Sequence, residues 1–339
     1  MAGRPAALLA MRPDVADAAF PAASREHLDA LAAVDYGLIV TDFTEPRARE
    51  ALTEAEILLT SWGCPALDAD VLAAAPNLRV VIHAAGSVKN HLGPDFWARG
   101  ILASSAAGAN AYPVAQFTLS VILLAGKRTF EMARRYAEGA YKPPATSPRF
   151  GNLGRTVGVI GASRIGRLLL PMLTSHGFLV LLADPTLTAA DAAALVPEPG
   201  AVELVALEDL LRRSDLVTVH APALPETRHL LDDARLTLMR DGSVLVNTAR
   251  GALVDTDALV RHCAAGRIDA FLDVTDPEPL PPGHPLFRLP NVTVTPHLAG
   301  AMGTEIAELG AFAIAEVERY LHGLPLLGAV SEADLARIA

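Results

Sequence analysis

Cysteine is scarce: Cys64 and Cys263 are the only two in 339 residues, far apart and outside any CxxC or clustered-histidine pattern. That leaves no disulfide framework and no zinc spacing, so no metal is expected and a reducing cytoplasm suits the chain. Basic residues are outnumbered, 28 Lys and Arg against 38 Asp and Glu, for a formal net charge of −10. With no Lys/Arg block there is no electrostatic footprint for nucleic acid or an anionic membrane, and small-molecule partners are expected. The apolar run within Met1 to Pro13 is too short and too soon interrupted for a signal peptide. Nor does any segment read as the roughly 20 apolar residues of a membrane span.

What is present is core-forming sequence, 51% hydrophobic and 19% charged, long enough for two compact domains. Apolar runs at Ala6 to Met11, Gly37 to Val40, Ala55 to Thr60, Leu78 to His83 and Ile101 to Ser104 alternate with helical stretches such as Ser24 to Ala33 and Ala66 to Ala75. Continuous Val, Ile and Leu runs suit parallel strands covered on both faces, so the first hundred residues read as a doubly wound α/β domain. The pattern from Tyr112 to about Arg135 predicts one long helix bridging to a second domain, entered through the proline-bearing loop Tyr141 to Gly154. There, six strands are predicted at Val157 to Ile160, Phe178 to Ala183, Leu216 to His220, Ser243 to Asn247, Ala270 to Val274 and Val292 to Thr295. Helices at Leu207 to Arg212, Asp232 to Met239 and Asp255 to Ala265 alternate with them, which fits a complete Rossmann sheet. A last helix, about Met302 to His322, is expected to return to the first domain and make it discontinuous.

One stretch points to a ligand. In Thr156-Val-Gly-Val-Ile-Gly161-Ala-Ser163-Arg-Ile-Gly166 an apolar strand enters a glycine-rich turn and then a helix. Gly161 permits the tight turn, the first helical N–H groups face a pyrophosphate, and Gly166 lets helix and strand pack closely. Ser163 stands at the middle glycine of GxGxxG, so its side chain either turns away from the phosphates or hydrogen-bonds them. The next strand ends in Asp184, 23 residues past Gly161, the spacing of an acid that accepts hydrogen bonds from both ribose hydroxyls. Pro185, Thr186 and Leu187 offer no cation for a 2′-phosphate, which favours NAD over NADP. A simpler role for Asp184 is to start the turn before Pro185.

Beyond the strand ends of an open parallel sheet, where ligands bind, fall Arg250, Glu278 and His297. The Arg250 guanidinium can hold a carboxylate bidentately, or else form a cap or interface ion pair. Glu278, in the proline-rich loop after Asp273, reads as a solvated acid or as the carboxylate that orients His297 and favours its protonated form. So placed, His297 can give a proton to a carbonyl oxygen and take it back; the plain reading is a structural histidine after a strand.

The ordered motifs Arg164-Ile-Gly166, Val219-His-Ala-Pro222, Asn247-Thr-Ala-Arg-Gly251, Asp273 to Glu278-Pro and Thr295-Pro-His297 closely resemble the D-isomer-specific 2-hydroxyacid dehydrogenases, and the resemblance runs over nearly the whole chain. It implies an α/β fold in which a Rossmann NAD-binding domain, residues 109–303, is inserted in a flavodoxin-like substrate domain, residues 1–108 and 304–339. It implies NAD-dependent interconversion of a D-2-hydroxy acid and a 2-keto acid in a cleft between the domains, and a homodimer. His297 is then general acid and base, Glu278 its partner, and Arg250 the carboxylate ligand. Cofactor contacts fall to Gly161, Ser163, Arg164, Ile165, Gly166 and Asp184. Ala221, Pro222 and Thr227 serve the adenosine side, and Thr248, Ala249, Arg250, Asp273, His297 and Gly300 complete the set. Gly86 and Ser87 join Arg250 and His297 in holding substrate. Ser163, Lys89, where Asp is common, and Gln116, where Glu is common, depart from the pattern. Trp62 either walls the substrate mouth or packs in the core. Two alternatives stand beside this reading: an NADH-sensing regulatory protein of the same fold, and a dehydrogenase of a small anion such as formate or phosphite.

Overall fold

The computed structural model describes residues 3–139, 143, 146–147 and 150–335. Much of the expected loop from Tyr141 to Gly154 therefore lies outside the described residues. The chain divides into two compact units, one of residues 1–111 and 301–338, the other spanning Tyr112–Gly300.

In the first unit, strands β1 (Ala6–Ala10), β2 (Ala33–Val40), β3 (Ile57–Thr60), β4 (Val80–His83) and β5 (Leu102–Ser105) pair in parallel in the order β5-β4-β3-β1-β2. This is the flavodoxin-like order. Alternate residues of β1 serve opposite cores: Ala7 and Leu9 join the cluster with Phe20 and Leu28, while Leu8 and Ala10 join Leu52 and Phe96. The returning helix Ile306–Leu321 covers one face through Leu309, Ala313, Ile314 and Val317, a helical spacing. Glu316 on that helix is fully buried and accepts from the Ser104 hydroxyl at 2.5 Å and from the Leu327 and Gly328 amides at 2.9 and 3.0 Å. Those bonds steer the C-terminal segment so that Ala329–Val330 pairs antiparallel with β5, a strand with no signal in the sequence.

The second unit holds β6 (Thr156–Ile160), β7 (Leu179–Ala183), β8 (Val202–Leu204), β9 (Leu216–Val219), β10 (Ser243–Asn247), β11 (Ile268–Leu272) and β12 (Val292–Val294). All pair in parallel in the order β12-β11-β10-β9-β6-β7-β8, the Rossmann arrangement with one strand added beyond the sixth. The sheet thus has seven strands where six were predicted. The missed one, β8, is a three-residue edge strand with an exposed Glu203 at its centre, too short and too polar to show as an apolar run.

Two further expectations need correction. The single helix from Tyr112 to Arg135 is two, Ala107–Gly126 and Thr129–Ala137, broken where Arg128 takes φ +52°. That left-handed residue turns its guanidinium inward, where it bonds Glu131 at 2.7 Å and Asp269 at 2.5 Å. The first of these helices is also, by length and composition, apolar enough to cross a bilayer, contrary to the sequence reading. Its apolar residues have a use in the fold: Val121, Ile122 and Ala125 join the core on one face of the second sheet.

Candidate active site

The glycine turn is built as a dinucleotide cradle. Gly161 has φ +94°, and a Cβ there would lie 2.7 Å from the Ala221 nitrogen; one on Gly166 would lie 2.3 Å from the Gly161 carbonyl oxygen. The protein's own backbone excludes side chains from both positions, so the turn is tight and the helix packs closely on the strand. Ser163 has φ −63° and ψ 179°, extended geometry that needs no glycine. Its hydroxyl caps helix Arg164–Ser175 by accepting from the Gly166 amide at 3.4 Å, which explains how serine is accommodated at this point of the turn. The Arg164 and Ile165 amides, in the first turn of that helix, have no intrahelical acceptor and remain available to an anion. These features fit a bound dinucleotide, its pyrophosphate at residues 161–166 and a ribose at Asp184.

Asp184 is more occupied than its ribose role suggests. One carboxylate oxygen accepts from the Ala162 amide at 2.7 Å; the other accepts from the Thr186 amide at 2.9 Å and hydroxyl at 2.6 Å. The turn-forming role is therefore real. Of about four acceptor positions on a carboxylate, three are filled, so binding both ribose hydroxyls requires one protein donor to yield. Burial works to raise the Asp184 pKa, yet the Thr186 and Ala162 donors and the charge of Arg167 outweigh it and hold the carboxyl below its ordinary range.

Around the turn, the Thr227 hydroxyl donates to the Pro222 carbonyl at 2.6 Å and accepts from the Leu224 amide at 2.8 Å, shaping the loop after β9. Ala221 lies against Gly161. Thr248 is buried and shares a 2.8 Å hydrogen bond with Thr118, while the Ala249 amide donates to Asn247 at 3.0 Å. Gly300 closes the unit at its C-terminal end.

β10, β11 and β12 are neighbours in register, Asn247 beside Leu272 and Leu272 beside Val294, so the segments that follow them emerge together. His297 and Glu278 meet there: Nδ1 lies 2.5 Å from Oε1, and both side chains are about half exposed. With Nδ1 on the carboxylate, Nε2 is left for a ligand. Arg250 makes no ion pair within 4 Å among the described residues and does not cap a helix with its side chain. Its guanidinium donates only to the Ala249 carbonyl, at 2.6 Å. Burial lowers its pKa, and the charge of Glu278 opposes that shift, which sets the two side chains in one electrostatic neighbourhood.

Asp273, 1% exposed, is the anchor of this corner. It accepts from the Thr295 hydroxyl at 2.6 Å and from the Leu298 and Ala299 amides at 2.9 Å each. The loop so held places His297 at φ +53°, a left-handed conformation uncommon among residues other than glycine. Sequence reasoning named Asp273 for its place beside the nicotinamide; the structure gives its carboxylate three donors from its own chain. Thr295, Thr186 and Arg167 were not singled out, and only their adjacency to the motifs signals them.

In the first unit, Gly86 and Ser87 follow β4 in a loop where the Ser87 hydroxyl accepts from the Lys89 amide at 3.4 Å. Gln116 is exposed, and Trp62 packs against the apolar cluster containing Met11 and Phe20. Of the two readings of Trp62, packing is the one these contacts describe. No metal-binding group of His, Cys, Asp and Glu is found among the described residues.

A Rossmann sheet with a glycine cradle, a ribose acid and a carboxylate-held histidine beside a buried arginine defines a dinucleotide-binding protein equipped for acid–base chemistry. Residues 119–299 match the model for the NAD-binding domain of D-isomer specific 2-hydroxyacid dehydrogenases. The chain is 36% identical over 241 residues to the glyoxylate reductase of Thermofilum pendens (strain DSM 2475 / Hrk 5), covering 69% of each. It is 36% identical over 273 residues to the D-3-phosphoglycerate dehydrogenase of Mycobacterium tuberculosis (strain CDC 1551 / Oshkosh), 78% of this chain but only 50% of that protein. The chain thus spans about half the length of the phosphoglycerate dehydrogenases it matches. Among solved structures, the TT0316 protein from Thermus thermophilus superposes with a TM-score of 0.74 at 31% identity, over 97% of this chain and 100% of that one. The chain belongs to the D-isomer specific 2-hydroxyacid dehydrogenase family.

Proposed function

We propose that this protein is an NAD-dependent dehydrogenase that interconverts a D-2-hydroxy acid and its 2-keto acid. The observation that carries this reading is the 2.5 Å contact of His297 with Glu278, at the ends of the strands that also bring Arg250 forward. Bound nicotinamide supplies the hydride in one direction and receives it in the other. With that hydride chemistry supplied, His297 Nε2 would give a proton to the carbonyl oxygen in reduction and take the hydroxyl proton in oxidation. Glu278 fixes the ring and stabilises the imidazolium. Arg250 pairs with the substrate carboxylate through its planar fork and polarises the adjacent carbonyl. Gly86 and Ser87 stand as further substrate-binding candidates by resemblance to the family.

The cofactor residues are those of the 161–166 turn, Asp184, the segments at Ala221, Pro222 and Thr227, and Thr248, Ala249, Asp273 and Gly300. The glyoxylate reductase and phosphoglycerate dehydrogenase relatives support a small 2-keto acid as substrate. We further infer a homodimer formed through the cofactor units, to be checked by the sedimentation mass. The two buried thiols, which burial pushes up to about 12, suit a reducing cytoplasm.

The deciding assay follows NADH absorbance with glyoxylate, hydroxypyruvate, pyruvate, phenylpyruvate and branched keto acids. Oxidation of NADH by at least one establishes the reaction and ranks the side chains. NADH binding without turnover across the panel overturns it in favour of a sensor.

A further inference from the structure

Asp184 and Arg167 hold opposite sides of one residue. The Ala162 amide donates to Asp184 at 2.7 Å, and the Ala162 carbonyl accepts from Arg167 Nε at 2.8 Å. Arg167 stands one turn into helix Arg164–Ser175 and is exposed. Among the described residues its two terminal nitrogens make no hydrogen bond and no ion pair within 4 Å. A mobile, solvated arginine is ordinary on a helix; one fixed by Nε beside the ribose acid, with its outer nitrogens unused, is not.

We propose that Arg167 is a cofactor-specificity residue, a cation placed to receive an adenosine 2′-phosphate that Asp184 at present keeps out. Residues 185–187, where a 2′-phosphate ligand is ordinarily sought, contain no cation, so discrimination against the phosphate rests on the charge of Asp184 alone. The charge of Arg167 already acts on that carboxylate and on Asp191. Asp191 accepts from the Thr188 amide at 2.8 Å and hydroxyl at 2.6 Å in a helix cap, and among the described residues it makes no hydrogen bond or ion pair with Arg167. A phosphate that replaces the 2′-hydroxyl meets repulsion from Asp184 and attraction from Arg167; removing the first leaves the second. A single neutralising substitution therefore converts the site, with no cation added.

This inference rests on the assignment of residues 161–184 to the cofactor. The test is calorimetric, on the purified full chain, with NADH, AMP and adenosine 2′,5′-bisphosphate, and thermal denaturation to verify folding. Asp184→Asn is expected to tighten adenosine 2′,5′-bisphosphate at least tenfold relative to AMP, with a gain that shrinks as salt is raised. In Arg167→Gln/Asp184→Asn most of that gain is lost, and only the part due to relieved Asp184 repulsion remains. Asp184→Ser, which also removes the acceptor of the Ala162 amide, gives the same ratio if charge is what matters. A gain undiminished in the double variant overturns the assignment and points to Arg164, the other cation of that helical turn. No gain in either Asp184 variant overturns it as well. Wild-type protein that binds no NADH overturns the cofactor site itself, and the inference with it.

Discussion

The Thr295 hydroxyl donates to the Asp273 carboxylate at 2.6 Å, and this bond, with the Leu298 and Ala299 amides on the same carboxylate, brackets His297 on both sides. The proposed proton-transfer residue, in a left-handed conformation, sits in a loop that this buried acid holds. Asp273→Ala leaves two backbone N–H groups and a hydroxyl without their acceptor. A fully buried unsatisfied donor costs about 1–3 kcal/mol, and Thr295 and Leu298 are only half-buried, so roughly 2–5 kcal/mol of stability should be lost over the three, with a steep fall in turnover. Thr295→Val removes one donor only and should cost about 1 kcal/mol while lowering kcat more than it alters KM. Denaturant unfolding and steady-state kinetics together check this, and an unchanged kcat in Thr295→Val denies the bracket a part in placing His297.

Substituting His297 itself tests the chemistry directly. His297→Ala should lower turnover by about 10² to 10⁴, the usual contribution of a positioned acid or base, with NADH affinity nearly intact. Glu278→Gln retains an acceptor for Nδ1 but not its charge, so its turnover should fall between the wild type and Glu278→Ala. Equal losses in the two Glu278 variants would show that only the charge matters.

Arg250→Ala should act mainly on KM for the keto acid. A charge-assisted bidentate pair is worth about 1.5–3 kcal/mol, or roughly 10- to 10²-fold in kcat/KM. Arg250→Lys keeps the charge but loses the planar fork, and should recover only part of the loss. A KM unchanged in Arg250→Ala removes the carboxylate role.

How far the sequence carried this reading differs between the two parts of the site. The strand ends were legible because β9, β10 and β11 are continuous apolar runs, buried on both faces, so Arg250 and Glu278 fell after them by simple counting. His297 was legible from Pro296 before it, yet its φ of +53° and the Asp273 bracket depend on contacts across 22 to 26 residues that no local pattern encodes. Edge elements were the failures. β2 begins four residues before the predicted Gly37, because its first half alternates exposed and half-buried residues, and β8 went unseen because it is three residues long with an exposed Glu203 at its centre. The break at Arg128 was hidden because a buried arginine paired with Asp269, 141 residues away, outweighs helix propensity. Around the cofactor, Asp184 was found by spacing, but its internal donors come from a turn that packs only in three dimensions.

Two buried histidines should weaken the fold in acid. Burial depresses His83 and His220 from 6.5 to about 3 each, with the neighbouring His91 adding to the shift at His83. Both are thus neutral in the fold and protonate readily once unfolded. Their contribution is fully present above about pH 6.5 and is lost as pH falls toward 3, at up to about 1.4 kcal/mol per pH unit for each imidazole. His220→Gln, which keeps a polar group near Thr218, should flatten the decline in stability between pH 6 and 4, measured by urea midpoints. An unchanged slope would show that His220 ionises within the fold.

Ser163 supplies the last prediction. Were the serine an obstacle to the pyrophosphate, Ser163→Gly would tighten NADH by tenfold or more, about 1.4 kcal/mol. The structure predicts otherwise: the hydroxyl is turned back onto the Gly166 amide, and the backbone is already extended. Ser163→Gly should change NADH affinity by less than about threefold and cost a few tenths of a kcal/mol of stability, whereas Ser163→Ala, which cannot cap, should cost about 1 kcal/mol. Calorimetry and thermal unfolding on the two variants separate these effects. A tenfold gain in Ser163→Gly would mean that the serine leaves its cap and crowds the phosphate once the dinucleotide is bound.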